Sequence, residues 1–162
     1  MTTTRILGID PGTRKVGYAI IEATLARRGA TMRYVECGVI AAPAKVDVPV
    51  RLLAIAEDLA AVIDEFEPVQ LAIERAFGGK NVHSALVLGQ ARGALMLLAA
   101  QRGLPAFEYA PAVVKRVVAG HGAATKDVIA ERVRMLFELR RAPPADAADA
   151  LAIACCHALS RL

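Results

Sequence analysis

Aromatic residues are scarce in this sequence: they make up 4% of its 162 residues, and Trp is absent. Since 56% of the chain is nevertheless hydrophobic, its core must be aliphatic and alanine-rich. Cysteine is also sparse. Cys37, Cys155 and Cys156 are odd in number and lack paired spacing, which argues against a disulfide framework and for a reducing compartment. Long apolar runs are missing; the longest uninterrupted one, Gly93 to Ala100, is far too short to span a bilayer. The opening Met1-Thr-Thr-Thr-Arg5 lacks the charged-then-apolar layout of a signal peptide. These absences lead to the expectation of a soluble, cytoplasmic protein. With no repeat, low-complexity tract or long linker, a single domain over residues 1–162 is expected. No strong charge imbalance exists either. Twenty Lys and Arg against 16 Asp and Glu give +4, which is compatible with a polyanionic partner without requiring one.

The apolar residues that are present fall into two patterns. Arg5 to Asp10 reads as a short buried strand ended by Pro11-Gly12; Val16 to Ala23 and Met32 to Ile40 follow as further runs. Their connections are too short for crossover helices, so an antiparallel meander is expected. The period then changes. Leu52, Ile55, Ala56, Leu59, Ile63 and Phe66 recur at helical spacing, and Pro68 follows. Val69 to Glu74 reads as a strand, Asn81 to Arg102 as a helix and Leu104 to Tyr109 as a strand, which implies a parallel crossover. Two more helices are expected, near Thr125 to Leu139 and Pro144 to Arg161. The fold class is α/β: a mixed five-stranded sheet flanked by helices on both faces.

Acids occur where packing alone would not call for them. Asp10 ends the strand Ile6-Leu-Gly-Ile-Asp10, and Glu74 ends Leu71-Ala-Ile-Glu74. Sites in α/β sheets gather at such carboxyl ends. Asp146 and Asp149 lie three apart in a predicted helix, on one face, amid Ala145, Ala147, Ala148, Ala150 and Leu151. Carboxylates converging in an apolar setting repel one another and lose hydration, so they take up protons unless a cation sits among them. Oxygen-only donors suit hard ions such as Mg²⁺ or Mn²⁺, and two ions about 4 Å apart suit phosphodiester hydrolysis. Plainer readings stand beside this one. Asp10 before Pro-Gly can be a turn former, Asp146 after Pro143-Pro144 a helix cap, and Glu74 the partner of Arg75 or another base.

Several stretches resemble the RuvC family of crossover-junction endonucleases. They are Ile6-Leu-Gly-Ile-Asp-Pro-Gly-Thr-Arg14 with Gly17-Tyr18, Ala72-Ile-Glu-Arg-Ala-Phe77, Lys80-Asn81, Ser84-Ala-Leu86, Leu88-Gly-Gln-Ala-Arg-Gly93, Phe107-Glu-Tyr-Ala110 and Asp146-Ala-Ala-Asp-Ala-Leu-Ala-Ile-Ala154. They occur in family order over nearly the whole chain. The resemblance implies an RNase H-like fold, a homodimer, and metal-dependent symmetric nicking of four-way Holliday junctions that leaves ligatable ends. It also implies the RuvA–RuvB branch-migration complex as a partner. Asp10, Glu74, Asp146 and Asp149 fall on the family's four catalytic positions, and the resemblance implies that they hold divalent metal, Mg²⁺ or Mn²⁺, two ions per subunit. Some members carry histidine at the third position, where this chain has Asp146.

By the same resemblance Phe77 stacks on a junction base; the alternative is a core phenylalanine. Lys115 and Lys126 match basic positions near the family's active site, and Arg14, Lys80 and Arg116 can extend a phosphate-binding surface that positions DNA without reading it. His121 lies in a glycine loop that can approach DNA. Gly89 and Gly93 share a helix face and permit close approach of a second helix, within the fold or across a dimer. Two motifs are discounted. Gly120-His-Gly-Ala-Ala-Thr-Lys126 lacks the order of a phosphate loop. Cys155-Cys156-His157 points its neighbours about 100° apart and reads as core filling. Three other functions stay open at this point: a sugar-kinase-like or actin-like ATPase suggested by Asp10-Pro-Gly-Thr13, a non-catalytic junction-binding module, and an RNase H-like nuclease acting on RNA.

Overall fold

Strand alternation decides which side chains meet which layer. In β1 (Thr3–Asp10) Leu7 and Ile9 enter one core and Ile6 the other, all fully buried. β2 (Lys15–Ala26) does the same, with Val16 and Ile20 on the first side and Ala19, Ile21 and Ala23 on the second. β3 (Gly29–Ala41), β4 (Gln70–Glu74) and β5 (Ala106–Tyr109) complete the sheet, in the order β3-β2-β1-β4-β5. β1–β2 and β2–β3 are antiparallel; β1–β4 and β4–β5 are parallel. The computed structural model describes residues 2–26, 29–75 and 81–161.

Helices cover both faces. α1 (Val48–Phe66) and α2 (Val82–Gln101) bury Ile55, Leu59, Ile63, Leu95 and Leu98 against Leu7, Ile9 and Leu71. α3 (Pro111–Ala119), α4 (Lys126–Leu136) and α5 (Ala145–Arg161) cover the other face. Local chemistry sets their ends. The Asn81 side chain accepts from the Ser84 N–H at 3.1 Å at the start of α2, and Glu67 closes α1 at φ 46°.

α5 is the helix that matters for the site, and two glycines seat it. A Cβ on Gly8 would lie 2.2 Å from the Ala150 carbonyl oxygen, and one on Gly17 would lie 1.9 Å from that of Asp146. Only glycine allows the helix backbone to rest this directly on the sheet. A buried polar chain ties down the far end. Tyr109 Oη lies 2.7 Å from His157 Nδ1, and His157 Nε2 lies 2.8 Å from Gln70 Oε1. Burial first, then the Arg161 charge, lowers the pKa of this imidazole to about 4, so it is neutral at neutral pH. Cys155 and Cys156 are fully buried beside it, as expected of core fillers.

The expected element order holds with three differences. β2 and β3 run longer than their apolar cores suggest, because their ends pair with each other up to Ala26 and Gly29. α3 has no counterpart in the sequence reading. α4 stops at Leu136, short of the expected Leu139, because Glu138 turns left-handed at φ 53° and the Leu139 N–H closes back on the Arg134 carbonyl at 2.9 Å. At 20 residues and a mean hydropathy of 1.3, α2 is also long and apolar enough to cross a bilayer, although no uninterrupted apolar run is. Here it forms the crossover between the neighbouring strands β4 and β5.

Candidate active site

Strand register brings the first two acids together. Ile9 pairs with Ile73 across the parallel β1–β4 ladder, so the next residues, Asp10 and Glu74, end the two strands side by side. Alternation puts both on the α5 face: Ile6, Gly8 and Asp10 follow one parity, Ala72 and Glu74 the matching one. The glycine seat then delivers the third element. With Asp146 above Gly17, itself the ladder partner of Asp10, the first turns of α5 stand over the ends of β1 and β4.

Asp10, Glu74 and Asp149 line one cavity of about 180 Å³, together with Lys115, Lys126 and an apolar wall that includes Val114. Asp146 lies outside that lining, yet its charge acts on Asp10. Burial contributes most to the Asp10 pKa, the charges of Asp149 and Glu74 add to it, and Lys126 opposes them; the carboxyl rises from 3.8 to about 7. Glu74 is raised as well, by burial and then by Asp149, against Lys126 and Lys115. The Lys126 ammonium donates to Asp149 Oδ2 at 2.9 Å, and this bond holds its pKa above the ordinary value. Thr125 caps the start of α4, accepting from the Val128 N–H at 3.4 Å, and so sets the first residue of the helix, Lys126, at the cavity.

The carboxylates are gathered without forming a closed coordination shell. Among the described residues, no group of three His, Cys, Asp or Glu side chains is spaced to enclose an ion in this conformation. The donor set still fits a hard divalent cation. It is all oxygen, and the pKa values of Asp10 and Glu74 are raised first by burial and then by neighbouring carboxylates, both of which a bound cation would offset.

A model of the family described as "Crossover junction endodeoxyribonuclease RuvC" matches residues 6–157, a span that contains all four carboxylates. The chain belongs to the RuvC family. The RuvC of Roseiflexus sp. (strain RS-1) is 44% identical over 158 residues, covering 97% of this chain and 92% of that protein. The RuvC of Chloroflexus aggregans is 47% identical over 155 residues, with 95% and 92% covered. A structure of Thermus thermophilus RuvC in complex with Holliday junction substrate superimposes with a TM-score of 0.86 at 33% identity, covering 96% of this chain and 93% of that one. The RNase H-like resolvase fold is therefore established for this RuvC chain.

Other residues singled out in the sequence fall in different places. Lys115 and Lys126 are at the cavity; Arg14 lines a separate concavity. Phe77 and Lys80 lie outside the described residues. One contributor was missed: Arg92. From α2 its Nε donates to the Glu74 carbonyl oxygen at 3.2 Å, and its Nη2 stands 2.6 Å from Glu108 Oε2, an ion pair off hydrogen-bond alignment. Arg92 thus ties the end of β4 to β5 beneath the carboxylate cavity. The available signal was a lone arginine within the apolar run Leu88 to Ala100.

Proposed function

We propose that this chain nicks four-way DNA junctions as a homodimer, using divalent metal held by Asp10, Glu74, Asp146 and Asp149. One observation carries the reading: carboxylates from β1, β4 and α5 share a small cavity with two lysines, and the pKa of Asp10 is pushed to about 7. When bound, two Mg²⁺ or Mn²⁺ ions would supply the charge that activates water and stabilises the departing 3′ oxygen. Asp10 and Glu74 would hold them from the ends of paired strands, which fixes both carboxylates relative to each other. Asp149 and Asp146 would approach from the seated helix. Lys115 and Lys126 offer ammonium groups to the non-bridging phosphate oxygens. Val114 and Ile129 on the cavity wall exclude water and strengthen those attractions.

The relative solved with a Holliday junction supports the junction as substrate. Phe77 is proposed to stack on a junction base, and Lys80 and Arg14 to contact phosphates. Homodimerisation is supported by α2, whose Val82, Leu86, Gly89, Gly93 and Leu97 form one exposed stripe at helical spacing. A two-fold assembly suits paired symmetric cuts. Family membership also suggests a RuvA–RuvB partner and a cytoplasmic setting.

The test is a synthetic four-way junction incubated with Mg²⁺ or Mn²⁺, with strand-specific mapping of nicks beside linear duplex and RNA–DNA hybrid. Wild type should cut the junction symmetrically. Asp10→Asn should bind it while cutting falls by about a thousandfold or more. Wild-type turnover by Asp10→Asn, or preference for the hybrid, would refute the reading.

A further inference from the structure

We propose that the basic concavity between the β1–β2 turn and the start of α1 is a second phosphodiester site, gripping the DNA strand beside the carboxylate cavity. This rests on the junction-nuclease reading above. The concavity has a volume of about 510 Å³, and Arg14, Lys15, Lys45 and Arg51 line it without a single acid. Among the described residues, none of the four side chains is in an ion pair. Four cations around one depression repel each other, and an anion relieves that repulsion.

Arg51 adds a directional demand. Its Nε is buried and, among the described residues, meets no hydrogen-bond acceptor. A buried donor left unpaired is destabilising, and a phosphate oxygen is an acceptor that a guanidinium fork matches well. Lys45 sits at φ 59°, left-handed backbone that a lysine rarely adopts, so the loop that carries this side chain into the lining has a strained conformation. The surrounding segments are joined: the Ala42 N–H donates to the Arg14 carbonyl at 2.8 Å, and the Arg51 N–H to the Asp47 carbonyl at 3.0 Å. Asp47, exposed next to the concavity, caps nothing with its side chain.

Position and lining choose the anion. The turn leaves Asp10 and returns at Lys15, which pairs with Ala41, so the concavity lies at the same end of the sheet as the carboxylates, toward β3 and the start of α1. Its remaining walls are Ala, Pro and Val, with no aromatic ring on which a base could stack. The site therefore takes backbone phosphate and is indifferent to sequence.

The test is the doubly substituted full chain Lys15→Ala/Lys45→Asn; asparagine tolerates the left-handed backbone at 45. Junction affinity is measured against salt concentration for this variant and wild type, each also carrying Asp10→Asn, with equal melting temperatures as the folding control. The variant should bind the four-way junction several-fold more weakly, and its log–log salt slope should be shallower by about 1.8, from about 0.9 per lost phosphate contact. An unchanged slope with intact wild-type binding overturns this site alone. Failure of wild type to bind the junction overturns the underlying nuclease reading. Inorganic phosphate is titrated in parallel: saturable binding abolished in the variant, with the junction slope unchanged, assigns the concavity to a free anion and overturns the DNA contact.

Discussion

Asp10 is set against its own stability. Its carboxyl is buried beside Glu74 and Asp149, so the folded chain without metal binds a proton there up to about pH 7, whereas the unfolded chain releases it near 3.8. The raised folded pKa means that this group favours folding most below 3.8, and that its contribution is lost as pH rises through 7. Asp10→Asn removes the buried charge while keeping the shape. In EDTA it should therefore stabilise the protein at pH 8 by on the order of 2 kcal/mol, and much less at pH 5. Thermal melts at the two pH values check this, and a variant less stable than wild type at pH 8 would contradict it. The same proton opposes metal binding, so calorimetry at pH 6 should record proton release when Mn²⁺ binds, and any Mn²⁺ binding by the variant should release fewer protons.

Helix α5 converts packing into chemistry. Asp149 shares the cavity of the strand-end acids, and the charge of Asp146 acts on Asp10, because Gly8 and Gly17 let the helix backbone rest on the sheet. Gly17→Ala would drive a Cβ to 1.9 Å from the Asp146 carbonyl oxygen and force the first turn of α5 outward. The expected cost is about 1–3 kcal/mol of stability and about a hundredfold in nicking rate, with junction binding retained. Single-turnover kinetics and denaturant melts measure the two, and an unaffected nicking rate would mean that α5 is not held by that contact. Legibility in the sequence follows the same physics. The apolar residues of β1 and β4 and the helical spacing of Ile55, Leu59 and Ile63 in α1 were readable because they face a core, and the four acids stood out against apolar neighbours. α3 was not readable. Val113, Val114, Val117 and Val118 give it a β-branched composition, and it is helical because Pro111 starts it, Gly120 ends it at φ 86°, and Val114 and Ala119 are buried. Arg92 was hidden for a different reason: its partners, the Glu74 carbonyl and Glu108, come from strands on either side of it in sequence.

For the whole molecule, the open question is what covers α2. Leu86 is 65% exposed and Leu97 61%, while added Cβ atoms on Gly89 and Gly93 would meet nothing within 4 Å. Packing within the chain therefore does not require these glycines, each of which weakens the helix by about 1 kcal/mol relative to alanine. Close approach by a second copy of the helix would give them a purpose, and in the proposed homodimer a two-fold axis through the stripe would supply the pair of sites that a four-way junction needs. Leu86→Glu should leave the monomer intact, because a charge at so exposed a position changes monomer stability by no more than about 0.5 kcal/mol. If α2 forms the proposed dimer interface, wild type should scatter light as a dimer and this variant as a monomer. On a cruciform plasmid, wild type should then give linear product from one binding event, and the variant mainly nicked circles, since its two cuts are no longer made in one complex. A Leu86→Glu protein that stays dimeric and still linearises the plasmid would place the interface elsewhere on the molecule.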